Sequence, residues 1–333
     1  MVNESKILMK SRKMNNVSGA GKTKVLLLFS GGLDSRIALK VLQEQSGLDV
    51  EMVFFVLPFG GGCCNNFDCV FNYSQTEGVK LHVIDLTKKK FLKEYLDIVR
   101  EPKHGFGTGM NPCKDCKILM LRHAKKLGEE IGAEVIATGE VLSQRPMSQL
   151  KHQLDLTERM SGLVGKLLRP LSAKLLKLTD AEKSGLLDRN KLLDISGRQR
   201  KRQMELATKY KIKYPDSGGG CLLCEKDYCK KLKDLFMNDS FGREIKFEDI
   251  KLLNVGRHFR FKGKVVLGRD KEENKVLEFL GEKLGYNVEV SKIPGPSAIF
   301  EDKKNLKLVN ELMVAYSKGS GIKGREKFKS MRI

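Results

Sequence analysis

The stretch Lys24–Leu39, KVLLLFSGGLDSRIAL, constrains the fold more than any other part of the chain. An apolar run of strand length stops at a doubled glycine, and a pattern near helical spacing comes next, with Ile37, Ala38, Val41 and Leu42 recurring. A strand that is apolar at every position is buried on both faces and needs cover above and below. Similar runs occur at Val50–Leu57, at Leu81–Leu86 and in AEVIATGE, which ends on Thr138 and Gly139. Helical patterns at Phe91–Val99 and Ile118–Ile131 separate the later runs. Strands alternating with helices predict an α/β fold, a doubly wound parallel sheet whose ligand crevice lies beyond the carboxyl ends of the strands.

The chain has 333 residues, more than one hydrophobic core usually organises. From Leu167 it reads as helical and strongly basic. Past Phe241 the texture changes: HFRFKGKVVLGRD reads as strands and NKVLEFLGEKLG as a helix. The expected organisation is a flexible basic tail over 1–22, a nucleotide-type domain over 23–238, and a small basic α+β domain over 242–333.

The glycine turn has a chemical reading. Gly31 and Gly32 let the backbone approach a ligand and adopt positive φ, and the helix after them points its positive end at phosphate oxygens. Ser30 and Ser35 supply hydroxyls, and Asp34 can hold a magnesium ion. The alternative is a plain strand-to-helix turn capped by Asp34 or Ser35. A second glycine segment, GAGKT at Gly19–Thr23, imitates the end of a Walker A loop. Asn16 stands where that loop needs its first glycine, and no strand precedes it.

Charge points to the partner. Lys and Arg number 62 against 41 Asp and Glu, a net charge of +21, which suits nucleic acid. The run Arg198, Arg200, Lys201, Arg202 and the tail from Lys318 are candidate phosphate contacts, and Arg145 can neutralise a phosphate or orient a base. Arg169 and Lys174 are similar candidates, although a solvated charge is the default for any single cation. Aromatic residues make up 7 % with no Trp, which disfavours broad stacking platforms. No apolar run of about 18 residues appears, so no membrane partner is expected. The opening residues lack the apolar core of a secretory signal, and a cytoplasmic location is expected.

Eight cysteines in a reducing compartment bind metal or do redox chemistry more often than they form disulfides. They fall into three groups: Cys63, Cys64 and Cys69; Cys113 and Cys116; Cys221, Cys224 and Cys229. Two CxxC pairs on loops of one domain can converge to bind zinc or an iron–sulfur cluster, or form a redox pair. Lys114 and Lys117 flank the first pair and would favour a thiolate there.

FSGGLDS resembles the PP-loop signature SGGxDS of the ATP pyrophosphatase family, over roughly Lys24–Leu235. The resemblance implies an adenine nucleotide alpha hydrolase-like sheet that splits ATP between its α and β phosphates, with Ser30, Gly31, Gly32, Asp34 and Ser35 on ATP and Mg2+. NPCKDCKILML resembles the cysteine segment of tRNA thiouridine synthases, and ATGEVLSQRPMSQ with LLRPLSAKLL resembles the stretches downstream of that segment in the same enzymes. This implies Thr138, Gly139 and Glu140 at the nucleotide, an ordinary strand-to-loop turn being an equal reading, with Gln144, Arg145 and Ser148 in the same motif.

In the thiocytidine and thiouridine synthases that carry a cluster, a CxxC pair and one distant cysteine hold a 4Fe-4S centre with one iron open. By position, Cys113, Cys116 and Cys221 match, with Cys224 as substitute. Asp34, Cys113, Cys116 and Cys221 are then the catalytic set. The implied enzyme is an ATP-dependent tRNA sulfurtransferase served by a sulfur donor, either sulfide or a persulfide carrier, and a homodimer is allowed. Alternatives are a cluster-free persulfide thiolase, a PP-loop ligase forming an amide or amidine, and a zinc-stapled RNA-binding protein. KVVLGRDKEENKVLEFL resembles a small RNA-binding module of translation-associated proteins, with an oligomerisation domain as the competing reading.

Overall fold

The structure, a computed structural model, describes residues 22–60, 67–216, 220–238, 243–291, 294–317 and 323–333. In chain order the first unit contains β1 (Thr23–Leu28), α1 (Leu33–Gln43), β2 (Leu48–Val56), α2 (Phe67–Glu77), β3 (Leu81–Asp85), α3 (Lys89–Arg100) and α4 (Cys113–Ile131). It continues with β4 (Val135–Thr138), α5 (Lys151–Ser161), β5 (Leu167–Leu168), α6 (Asp180–Lys183), α7 (Lys201–Lys209) and α8 (Lys226–Met237). Its five strands run in the order β3-β2-β1-β4-β5, every pairing parallel. The doubly wound α/β sheet that the strand and helix alternation predicts is present.

Alternation along the strands divides the core in two. Val25, Leu27 and Phe29 face one way with Met52, Phe54 and Ala137, against Ile37, Ala38, Val41 and Leu42 of α1 and Ala207 of α7. Leu26 and Leu28 face the other way with Val53, Phe55 and Ile136, against α3, α4 and α8 through Leu92, Leu96, Leu119, Ala124 and Leu232. Each fully buried Leu or Phe in these layers contributes about 1.5–3 kcal/mol, so the apolar run Val25–Leu28 of β1 is what seats the glycine loop at its end.

The second unit comprises α9 (Phe247–Leu252), β6 (Arg257–Arg260), β7 (Lys264–Leu267), α10 (Lys271–Leu284), β8 (Asn287–Glu289), β9 (Ala298–Phe300), α11 (Leu306–Tyr316) and α12 (Lys323–Glu326). Its antiparallel sheet has the order β6-β7-β9-β8. Val265 and Leu267 pack towards α11, and Val266 between them packs towards α10. α9 joins the two units, with Ile250 in the core of the first and Leu252 in that of the second. Residues 239–242, where the sequence places the boundary, lie outside the described residues, as do Cys63, Cys64 and almost all of the amino-terminal tail. Among the described residues no helix is long and apolar enough to cross a membrane.

Candidate functional site

The chain leaves β1 through Phe29 and turns at Gly31, whose φ of +79° is one that a side chain disfavours. A Cβ there would also come within 3.0 Å of Val70 Cγ2. Gly32 is the N-cap of α1, and no side chain caps the helix. Neither Asp34 nor Ser35 therefore plays the capping role of the alternative reading, and the first turn keeps its backbone donors for an anion. Ser35 Oγ donates to the Gly32 carbonyl at 2.9 Å, and the exposed Ser30 reaches Ser35 Oγ at 3.4 Å.

Arg36 is a functional neighbour that the sequence did not reveal. It is 5 % exposed, and its Nε donates to the Gly31 carbonyl at 2.7 Å. Its other nitrogens reach the Lys213 carbonyl at 2.8 Å and Cys69 Sγ at 3.3 Å, and its plane lies 4.0 Å from the Tyr73 ring centre. One buried cation thus ties the glycine loop to α2 and to the segment after α7. The only signal in the sequence was an arginine set among the apolar residues of α1.

The facing wall is the end of β4. A Cβ on Gly139 would lie 2.8 Å from both N and Cα of Ser35, so this glycine lets α1 close on the strand end. Thr138 is buried, and its hydroxyl donates to Glu140 at 3.1 Å. Glu140 is 4 % exposed and stands 3.6 Å from Lys117 and 3.4 Å from Arg169. Burial pushes its carboxyl up, but Lys117, Arg169 and the Thr138 hydrogen bond together hold it below the usual range. Arg169 also pairs with Glu158 at 3.0 Å and donates to the Leu154 carbonyl at 3.1 Å, so it is a structural cation rather than an open phosphate contact. Past Glu140, Gln144 Nε2 donates to Asp34 Oδ2 at 2.7 Å, and Gln203 Nε2 donates to Gln144 Oε1 at 3.1 Å. Asp34 Oδ1 is buried without a partner among the described residues.

The thiols arrive from two directions. α4 begins at Cys113 with Pro112 as N-cap, so the first CxxC is a helical turn rather than a loop, and Cys113 and Cys116 share a face. Asp115 fastens the preceding loop, accepting from the His104 backbone at 3.0 Å and contacting its ring at 2.8 Å. That loop lies on the Cys221–Cys224 turn: Met110 N donates to the Leu223 carbonyl at 2.8 Å. A Cβ on Gly109 would come within 2.3 Å of that oxygen, so no other residue permits the approach.

All six described cysteines are free thiols. Cys116 meets the Tyr95 hydroxyl at 3.2 Å, and Cys113 accepts from Asn111 at 3.0 Å. Cys229 is buried core, donating to the Leu223 carbonyl at 3.1 Å. Burial, and then the neighbouring Cys116, Cys224 and Cys113, push the Cys221 thiol up to about 12. Burial also raises Cys116 against the opposing influence of Tyr95 and Lys117. At Cys116, burial thus outweighs Lys117, which is engaged with Glu140.

Among the described residues no three Cys, His, Asp or Glu side chains stand in metal-holding geometry. The donor set itself fits a thiophilic centre. Cys113, Cys116 and Cys221 are soft ligands close enough that Cys113 pushes Cys116 up and both push Cys221 up, and a bound cation would offset that repulsion. Asp34, with one free buried oxygen, likewise fits a hard cation such as magnesium.

Of the basic candidates, Arg145, Arg198, Lys201 and Arg202 are exposed and Arg200 partly so. Arg202 pairs with Asp194 at 2.8 Å, and Lys174 donates to the Asn190 carbonyl at 2.8 Å.

A parallel sheet ending in an SGGxDS loop at an uncapped helix defines a PP-loop nucleotide domain. Residues 20–174 match the family model described as Thiamine biosynthesis protein (ThiI). Residues 256–326 match the model described as NFACT protein RNA binding domain. Among curated relatives, the tRNA-specific 2-thiouridylase MnmA of Sulfurimonas denitrificans is 32 % identical over 124 residues, covering 36 % of this chain and 35 % of the relative. The argininosuccinate synthase of Dictyoglomus thermophilum is 31 % identical over 125 residues, covering 35 % and 29 %. The chain thus spans about a third of the length of these relatives. Among solved structures, the U34-tRNA thiolase NcsA from Methanococcus maripaludis with its [4Fe-4S] cluster aligns at 15 % identity and a TM-score of 0.35, covering 71 % of this chain and 72 % of that one.

Proposed function

We propose that the chain is an ATP-dependent tRNA sulfurtransferase. The carrying observation is that the two CxxC segments touch through Met110 and Leu223, and the first also reaches the end of β4: Lys117, next to Cys116, pairs with Glu140, and Gly139 beside it packs on Ser35 of the glycine turn. Mg-ATP would lie on Ser30–Ser35 with its phosphates at the first turn of α1. A uridine or cytidine carbonyl oxygen attacks the α-phosphorus and pyrophosphate leaves. Sulfide then attacks the activated carbon, AMP departs with the oxygen, and a thiocarbonyl remains. No oxidant is needed when sulfide is the donor. With a cysteine persulfide as donor, a second cysteine resolves the product as a disulfide.

Cys113, Cys116 and Cys221, with Cys224 as substitute, would hold a 4Fe-4S centre, whose open iron supplies a Lewis-acidic place for sulfide when bound. The match of residues 256–326 to an RNA-binding module, the +21 charge and the thiouridylase relative support tRNA as substrate. The argininosuccinate synthase match supports the rival reading, a ligase with a nitrogen nucleophile. Paired thiol segments at the same edge favour sulfur.

The test uses anaerobically purified protein with ATP, Mg2+, tRNA and sulfide. Pyrophosphate release matched by a thiolated nucleoside in mass spectrometry is expected, from brown protein containing iron and labile sulfide. Colourless zinc protein would replace the cluster with a structural metal, and pyrophosphate release without thiolation would replace the sulfurtransferase with the ligase.

A further inference from the structure

Gln144 is 7 % exposed and Gln203 wholly buried, and both belong to one hydrogen-bonded line that ends on Asp34. The direction of the line is forced. A carboxylate only accepts, so Gln144 must turn its amide nitrogen to Asp34; its oxygen then faces Gln203, which must donate. Along this line two buried acceptors have no partner among the described residues, Asp34 Oδ1 and Gln203 Oε1. The first belongs to the residue best suited to a hard cation beside the phosphate loop. Gln203 sits on α7, which also carries the exposed Lys201 and Arg202.

We propose that Gln144 and Gln203 are positioning residues that fix the Asp34 carboxylate with Oδ1 turned toward the magnesium ion of Mg-ATP. The inference rests on the ATP-activation reading above. It makes α7 an outer support of the metal site: the helix holds Gln203, Gln203 orients Gln144, and Gln144 orients the ligand. Groups that orient a metal-ligating carboxylate typically change metal affinity by about 10–100-fold when removed.

The experiment measures Mn2+ binding by electron paramagnetic resonance in the presence of α,β-methylene-ATP, an analogue that cannot be cleaved between those phosphates. Wild type, Gln144→Leu, Gln203→Leu and the double variant are compared, with analogue binding in EDTA and the melting temperature measured alongside. The expected result is Mn2+ affinity lowered about tenfold or more in each variant, with analogue binding in EDTA unchanged. The double variant should be no weaker than Gln144→Leu, because Gln203 acts only through Gln144. A merely structural role would lower the melting temperature and both binding constants together, and that result would overturn the proposal. Gln203→Met takes the place of the leucine variant if the latter does not fold. Normal wild-type binding with unchanged variants refutes the relay alone, whereas a wild type that binds neither analogue nor Mn2+ refutes the ATP reading beneath it.

Discussion

A methyl group on Gly139 would meet the backbone of Ser35 at 2.8 Å and the Asp34 carbonyl carbon at 2.9 Å, atoms of the turn proposed to receive the phosphates. Backbone cannot rotate away as a side chain can, so Gly139→Ala must push α1 off the end of β4. Overpacking of this kind costs about 1–3 kcal/mol. The variant is expected to melt earlier and to bind ATP more weakly, as checked by thermal unfolding and nucleotide titration. Gly139 was legible in the sequence as part of a strand-end motif, but the reason for it was not: the contact is with a helix a hundred positions earlier, which no local pattern reports. Arg36 makes the same point, since its three hydrogen-bond partners come from three separate segments. By contrast, the shape of the glycine turn was readable because it is local: Gly31 takes a positive φ and Ser35 bonds back to the Gly32 carbonyl.

Elements were legible where burial imposes a simple period. β1, β2, β3 and β4 stand within two residues of the apolar runs; in β1, β2 and β4 burial on both faces leaves few positions for polar residues, whereas β3 is a half-buried edge strand. α2 carries no clear apolar period, because its buried face is reduced to Val70 and Ser74. β5 was read within a helical region; it is two residues long, too short for any period, and exists because Leu167 and Leu168 pair with Ile136 and Ala137. α4 starts earlier than its apolar pattern, because Pro112 and the Asp115–His104 clamp set the first turn before hydrophobic spacing begins. α7 divides its labour: Ala207 packs in the core and Gln203 is buried, while Lys201 and the preceding Arg198 face solvent. Reversing charge at Arg198 and Lys201 to Glu should therefore weaken tRNA binding with little change in stability. The salt dependence should become shallower by about 0.7–0.9 log units per log salt for each phosphate that is no longer neutralised. Binding titrated over salt concentration checks this, and an unchanged slope would put the RNA elsewhere.

At the scale of the whole molecule, the second sheet is fastened to the helix that succeeds the second CxxC turn. Arg260 of β6 donates to Asp234 of α8 through Nε at 2.9 Å and Nη2 at 2.5 Å, and the buried Lys264 of β7 lies 4.0 Å from the same carboxylate. Burial pulls the Lys264 amine down to about 8, with Asp234 the main opposing influence. The module matched to RNA binding is thereby held against the segment carrying Cys221, Cys224 and Cys229, and RNA on one unit would be presented to the chemistry of the other. On the proposed reading, base activation and sulfur delivery are separate steps, the first at the PP-loop and the second at the thiols. The most direct measurement is to monitor tRNA-dependent pyrophosphate release and thiolated nucleoside together in the wild type and in a Cys113→Ala, Cys221→Ala variant. The expected result is pyrophosphate release retained and thiolation abolished; full thiolation by the variant would contradict the account.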